Sequence, residues 1–279
     1  MAASSQHTAC ACPRSQPDTM DLFTEIDSVR VRYRDAGSGD PVLVLHGWGA
    51  SIDAIQSVTS DLSRSFRAIA IDMPGHGQSP LPPKPWAVSD YMNLVLGFMA
   101  KMNIASAHMV GHSFGGRITI KLAAEHPEKV EKIVLVDAAG VPPPRKPVYY
   151  VKRGIARSAK LVAAVAGPPG RWLKDKIYSR IQSKDYAAAG PLRETFVKIV
   201  SEDLRPFLPR IKAPALLVWG RNDHDTPVSS GETMHRLIQG SELIVLDNAG
   251  HYSYADQFNA FRLRVNKFLR SDHPNGHLS

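Results

Sequence analysis

At 279 residues the chain is long enough for one large domain with a buried core. Its 43% hydrophobic and 22% charged residues are the proportions of a globular protein rather than a disordered or fibrous one. No run approaches the roughly 20 apolar residues a membrane-spanning helix needs. The net charge of +8 is unevenly spread: Val141 to Lys212 holds 16 basic and 5 acidic residues, a local +11 against −3 elsewhere. The plain reading is a solvated helical surface. The functional one is a field that draws an anionic substrate or an acidic lipid surface. No nucleic-acid motif accompanies the charge, so a nucleic-acid partner is not expected.

Residues 1–20 lack the basic start and apolar core of a secretory signal. They are expected to be a disordered tail, or an over-long start before a true beginning at Met20; the expected location is cytoplasmic, which a folded part free of cysteine fits. Both cysteines, Cys10 and Cys12, fall within residues 1–20. They leave the folded part without a disulfide, and two thiols without further ligands make a weak metal site. Neither a metal nor a cofactor is expected.

Short β-like runs at Phe23–Ile26 and Val29–Tyr33 precede the turn cluster Asp35–Asp40. Strands and helices then alternate: strand Val42–Leu45, a helix within Ile52–Arg64, and strand Arg67–Ile71. A helix capped by Ser89 and ending near Met102 follows, then strand Ala107–Val110, helix Phe114–Glu125 and strand Ile133–Val136. The alternation stops from Val141 to about Pro209, which opens with Pro142-Pro143-Pro144. It resumes with strand Ala215–Trp219, helix Ser229–Ile238, strand Leu243–Leu246 and a helix from about Ala255 to Leu269. Such alternation predicts an α/β fold with a mostly parallel central sheet and helices on both faces. The core is assigned to residues 21–140 and 210–270, a helical cap or lid to 141–209, and a second tail to 271–279.

Gly111-His-Ser-Phe-Gly115 fits G-x-S-x-G and lies between a predicted strand and a predicted helix, where a nucleophile elbow needs it. A serine hydroxyl needs a base, and the base needs an orienting acid. His251, in Asn248-Ala-Gly-His-Tyr252 after the last strand, is the candidate base; His224 is the other late histidine. His46, His76 and His112 come too early in the chain for the order serine, acid, histidine. Asp223, directly after the penultimate strand, is the preferred acid and Asp137 the runner-up. Asp225 and Asp247 are also near, the latter as a turn residue. Two backbone N–H groups should form an oxyanion hole, from Phe114 and from Trp48 in His46-Gly-Trp-Gly49. Asp72–Ser79 is read as loop chemistry without a direct catalytic part.

Taken in order, HGWG, DMPGHGQS, GHSFGG, WGRNDHDTP and NAGHYS resemble the α/β-hydrolase superfamily from about Asp21 to Leu269. The resemblance implies a Ser113, Asp223, His251 triad, oxyanion donors at Trp48 and Phe114, and a variable cap over Val141–Pro209. Relatives with a nucleophilic aspartate, such as epoxide hydrolases and haloalkane dehalogenases, are disfavoured by Ser113. The expected activity is esterase-like: hydrolysis of a small-molecule ester or other acyl substrate, with an anionic one suited to the basic segment. A carbon–carbon hydrolase or lyase with the same triad is the alternative. A non-catalytic ligand-binding protein on the same scaffold is the third reading.

Overall fold

The computed structural model describes residues 20–142 and 189–271. Eight strands form one sheet: β1 (Leu22–Ile26), β2 (Val29–Ala36), β3 (Pro41–Leu45), β4 (Arg67–Ile71), β5 (Ala107–His112), β6 (Val130–Val136), β7 (Ala215–Gly220) and β8 (Glu242–Leu246). Their spatial order is β1-β2-β4-β3-β5-β6-β7-β8. The hairpin β1–β2 and the pair β2–β4 are antiparallel, and every pairing from β4 through β3 to β8 is parallel.

The helices are α1 (Gln56–Leu62), α2 (Val88–Lys101), α3 (Phe114–Glu125), α4 (Arg193–Ser201), α5 (Val228–Leu237), α6 (Ser253–Asp256) and α7 (Phe258–Arg270). Central strands are largely apolar, β3 and β7 throughout, because both sheet faces are covered. Alternate residues supply the two cores: Leu43, Leu45, Ile69 and Ile71 pack on the side of α2 and α3, Val42, Val44, Ala68 and Ala70 on the side of α1 and α7. Every residue of α3 except Glu125 is buried.

Several boundaries depart from those predicted. Ser89 does not cap α2: Ala87 holds that position, and the Ala87 N–H donates to Asp90 Oδ2 at 2.7 Å. The terminal helix is split at Gln257, whose φ of −125° and ψ of 49° interrupt it between α6 and α7. The strand expected at Ile133 begins at Val130, and Ala107–Val110 extends to His112, so β5 runs into the elbow. Cys10, Cys12 and most of the expected cap lie outside the described residues. From residue 189 onward that segment supplies α4 and two 3-10 turns, at Gly190–Leu192 and at Leu208–Arg210. Among the described residues no helix is long and apolar enough to cross a membrane.

Candidate active site

In a parallel sheet the strands share one carboxyl edge, and the loops leaving it converge. His46 follows β3, Ser113 follows β5, Asp137 follows β6, Asp223 lies just beyond β7, and His251 follows β8. Ser113 adopts φ 49° and ψ −107°, outside the regions an L-residue ordinarily visits. The elbow closes because of the glycines around it. A Cβ on Gly115 would lie 2.3 Å from the Leu45 carbonyl oxygen, and one on Gly111 2.5 Å from Thr119 Oγ1.

The turn brings Ser113 Oγ to 3.0 Å from His251 Nε2, and His251 Nδ1 lies 2.9 Å from Asp223 Oδ2. A carboxylate only accepts, so Nδ1 carries the proton and Nε2 is left to accept from the serine hydroxyl. Asp223 is buried and amply held. Its Oδ1 accepts the N–H groups of Asp225 (2.8 Å) and Thr226 (2.9 Å), and the Thr226 hydroxyl lies 2.6 Å from Oδ2. Burial alone would raise this carboxyl; the hydrogen bonds from His251 and Thr226 outweigh it and hold it below the ordinary aspartate value. Burial likewise disfavours the His251 imidazolium, but the hydrogen bond and charge of Asp223, with Asp137 and Asp225 behind it, keep its pKa above the usual histidine value.

Asp137, the alternative acid, faces elsewhere. With φ 44° its carboxylate turns inward and accepts the N–H groups of Gly220 at 2.7 Å and Ser253 at 3.0 Å. It ties the end of β6 to the end of β7 and to the loop that carries His251. Burial pushes its pKa up to about 7. His224 is exposed, and Asp247 pairs with Arg221. Asp225, Asp223 and His251 bring potential metal-ligand atoms within 4.8 Å of one another. The facing atoms of Asp223 and His251 are already spent on each other and on Thr226, which leaves no open set for a cation.

Phe114 is the first residue of α3, where a helix leaves its N–H groups without intrahelical acceptors. The next amide, Gly115 N–H, donates to the His46 carbonyl at 3.1 Å and so fastens the His46–Gly49 loop against the helix start. The Trp48 and Phe114 backbones are thereby neighbours. The Trp48 indole packs edge-on against Phe114 and also against His76 and Phe196. Above Ser113 lies a cavity of about 320 Å³, bounded by Trp48, Phe196, Ile199, Tyr252 and Arg117 among others. Asp72 stays out of it. Its carboxylate accepts from Ile52 N–H (2.7 Å), Gln78 N–H (2.9 Å) and buried Arg32 (3.2 Å), so it organises its loop.

Three contributors were not anticipated from sequence. Thr226 was visible only as part of a turn. Arg117 falls on a helix without a motif. His112, set aside for its early place in the chain, donates from Nε2 to the His251 carbonyl at 2.8 Å and anchors the loop of the candidate base. Burial depresses its pKa to about 3, so the ring is neutral.

Comparison with known proteins agrees with this architecture. Residues 40–168 match a family model described as the alpha/beta hydrolase fold, and residues 200–277 match one described as TAP-like protein. The acetyltransferase component of an acetoin cleaving system from Cupriavidus necator is 29% identical, over 88% of this chain and 68% of that protein. A pimeloyl-[acyl-carrier protein] methyl ester esterase from Neisseria meningitidis serogroup B is 30% identical, over 82% of this chain and 92% of the esterase. A 2-hydroxy-6-oxononadienedioate/2-hydroxy-6-oxononatrienedioate hydrolase from Burkholderia vietnamiensis is 28% identical, over 87% and 91%. Among solved structures, a bacterial membrane phospholipase A superposes with a TM-score of 0.73 at 28% identity, over 90% of this chain and 86% of that one.

Proposed function

The chain belongs to the α/β-hydrolase superfamily, and from that premise we propose that it is a serine hydrolase that cleaves a carboxylic ester or related acyl bond through an acyl-serine intermediate. The observation that carries the proposal is the unbroken hydrogen-bond line from Asp223 through His251 to Ser113, ending on a strained serine at the cavity floor. Ser113 Oγ attacks the carbonyl carbon while His251 Nε2 takes its proton. The charge that develops on the carbonyl oxygen is met by the N–H groups of Trp48 and Phe114. His251 returns the proton to the departing alcohol, then deprotonates the water that releases the acid and frees Ser113. Asp223 fixes the imidazole tautomer and stabilises the imidazolium. The Neisseria relative is named as a methyl ester esterase, which supports an ester as the bond cleaved.

Incubation with a fluorophosphonate is expected to label Ser113, and a nitrophenyl ester is expected to give a burst of nitrophenol. Ser113→Ala should lose both; turnover by Ser113→Ala equal to that of the wild type would sink the mechanism. A second reading keeps the same three residues and cleaves a carbon–carbon bond in a keto acid. The Burkholderia relative, named for such substrates, favours it. Assaying esters and dienoic keto acids side by side separates the two.

A further inference from the structure

Arg117 stands one helical turn beyond Ser113 on α3 and lines the same cavity. Four residues of helix rise about 6 Å, and helical side chains lean toward the N-terminus, which here is the nucleophile's end. The side chain is 7% exposed. Of its five N–H donors, one on Nη1 is taken by the Glu202 carbonyl at 2.9 Å. Among the described residues no carboxylate pairs with it. The two nearby acids are committed to other cations, Glu202 to Lys121 and Asp203 to Arg205, the latter through both carboxylate oxygens. The cluster of three cations and two anions therefore has one positive charge left over, and Arg117 is the member that faces the cavity. Burial lowers its pKa to about 10, which still leaves it charged near neutral pH. Glu202 and Asp203 favour the charge but are shared with Lys121 and Arg205, so this buried cation is only partly compensated and a further anion in the cavity would complete it.

We propose that Arg117 is a specificity-determining residue that binds a carboxylate on the substrate, so that the pocket takes esters bearing a second, free acid group. This rests on the acyl-serine reading above. The guanidinium offers a planar fork that matches a carboxylate, and the packed Trp48 and Phe196 rings line the same cavity as an apolar surface for the rest of the chain.

The test compares ester pairs that differ in one carboxylate. Nitrophenyl hydrogen adipate against nitrophenyl hexanoate places the charge on the acyl side; 4-carboxyphenyl hexanoate against phenyl hexanoate places it on the alcohol side. In one of the two pairs the wild type is expected to prefer the charged member in kcat/KM by about 10- to 100-fold, the range of a charge-assisted hydrogen bond. Arg117→Gln should collapse that ratio toward unity, and Arg117→Lys should recover part of it. Each ratio is taken within one variant, so a loss from poor folding falls on both esters and cancels. Equal ratios in the wild type and Arg117→Gln overturn the proposal and leave Arg117 as a clamp on the end of α4. If the wild type cleaves none of the four esters and escapes fluorophosphonate, it is the acyl-serine reading that fails.

Discussion

The exits of β6 and β7 each present a buried aspartate, yet Asp137 and Asp223 are held in opposite protonation regimes. Asp137 is wrapped by backbone amides that lock three chain segments together, and burial dominates its titration. Asp223 is buried too, but it meets an imidazole, a hydroxyl and two amides, and those partners favour its charge. Two carboxylates a strand apart thus divide the labour: one joins the frame, the other faces the imidazole and, in the proposed mechanism, fixes its tautomer.

Substitutions can break that division. The largest effect is expected from Asp223→Asn, which keeps the shape but presents an amide to His251 Nδ1 and upsets the tautomer; kcat should fall by about 10⁴-fold, read from ester turnover under saturating substrate. Asp137→Ala should act on stability instead. It strands the Gly220 and Ser253 N–H groups at about 1–3 kcal/mol apiece, visible as a lowered denaturation midpoint, with kcat falling far less than in Asp223→Asn. A comparable kcat loss in both variants would erase the distinction between the two acids.

The pH profile sharpens the comparison further. His251 works as a base only when neutral, so kcat/KM should fall as pH drops through its pKa, with a midpoint above the ordinary value of about 6.5. Residual activity of Asp223→Asn should show a lower midpoint, because the charge that favours the imidazolium is gone. The smallest effect concerns Asp137. Its folded pKa is raised to about 7 from an unfolded value near 4, so the stability it contributes is full below about pH 4 and is lost as pH rises through about 7. Asp137→Asn does not titrate there. The gap in melting temperature between wild type and Asp137→Asn should therefore move in the variant's favour from pH 5 to pH 8. A gap that stays flat would mean that the carboxyl is already charged at pH 5.

Periodicity and punctuation were enough to place the central strands. Arg67–Ile71 and Phe114–Glu125 have the bounds read from sequence, because the doubly covered run Ala68–Ile71 is apolar and the elbow helix is bracketed by its motif and by Pro127. The break at Gln257 was invisible, since no glycine or proline punctuates Ser253–Arg270. The same holds for the site. Ser113, Asp223 and His251 could be ranked by chain order and strand exits, whereas separating Asp137 from Asp223 needed to know which way each carboxylate turns. Thr226, His112 and Arg117 carry no spacing signature, and their parts come from contacts across the sheet edge.

A helix buried on every side has no neutral face. Eleven of the twelve residues of α3 have no solvent to yield into, so substitutions along it should register in packing wherever they fall. Among the described residues, new substrate preferences would then have to be written into the loops and α4, which also line the cavity. Arg117 is the exception, a position on that inflexible spine whose side chain reaches the pocket, and a library aimed at changing selectivity without loosening the scaffold would begin there.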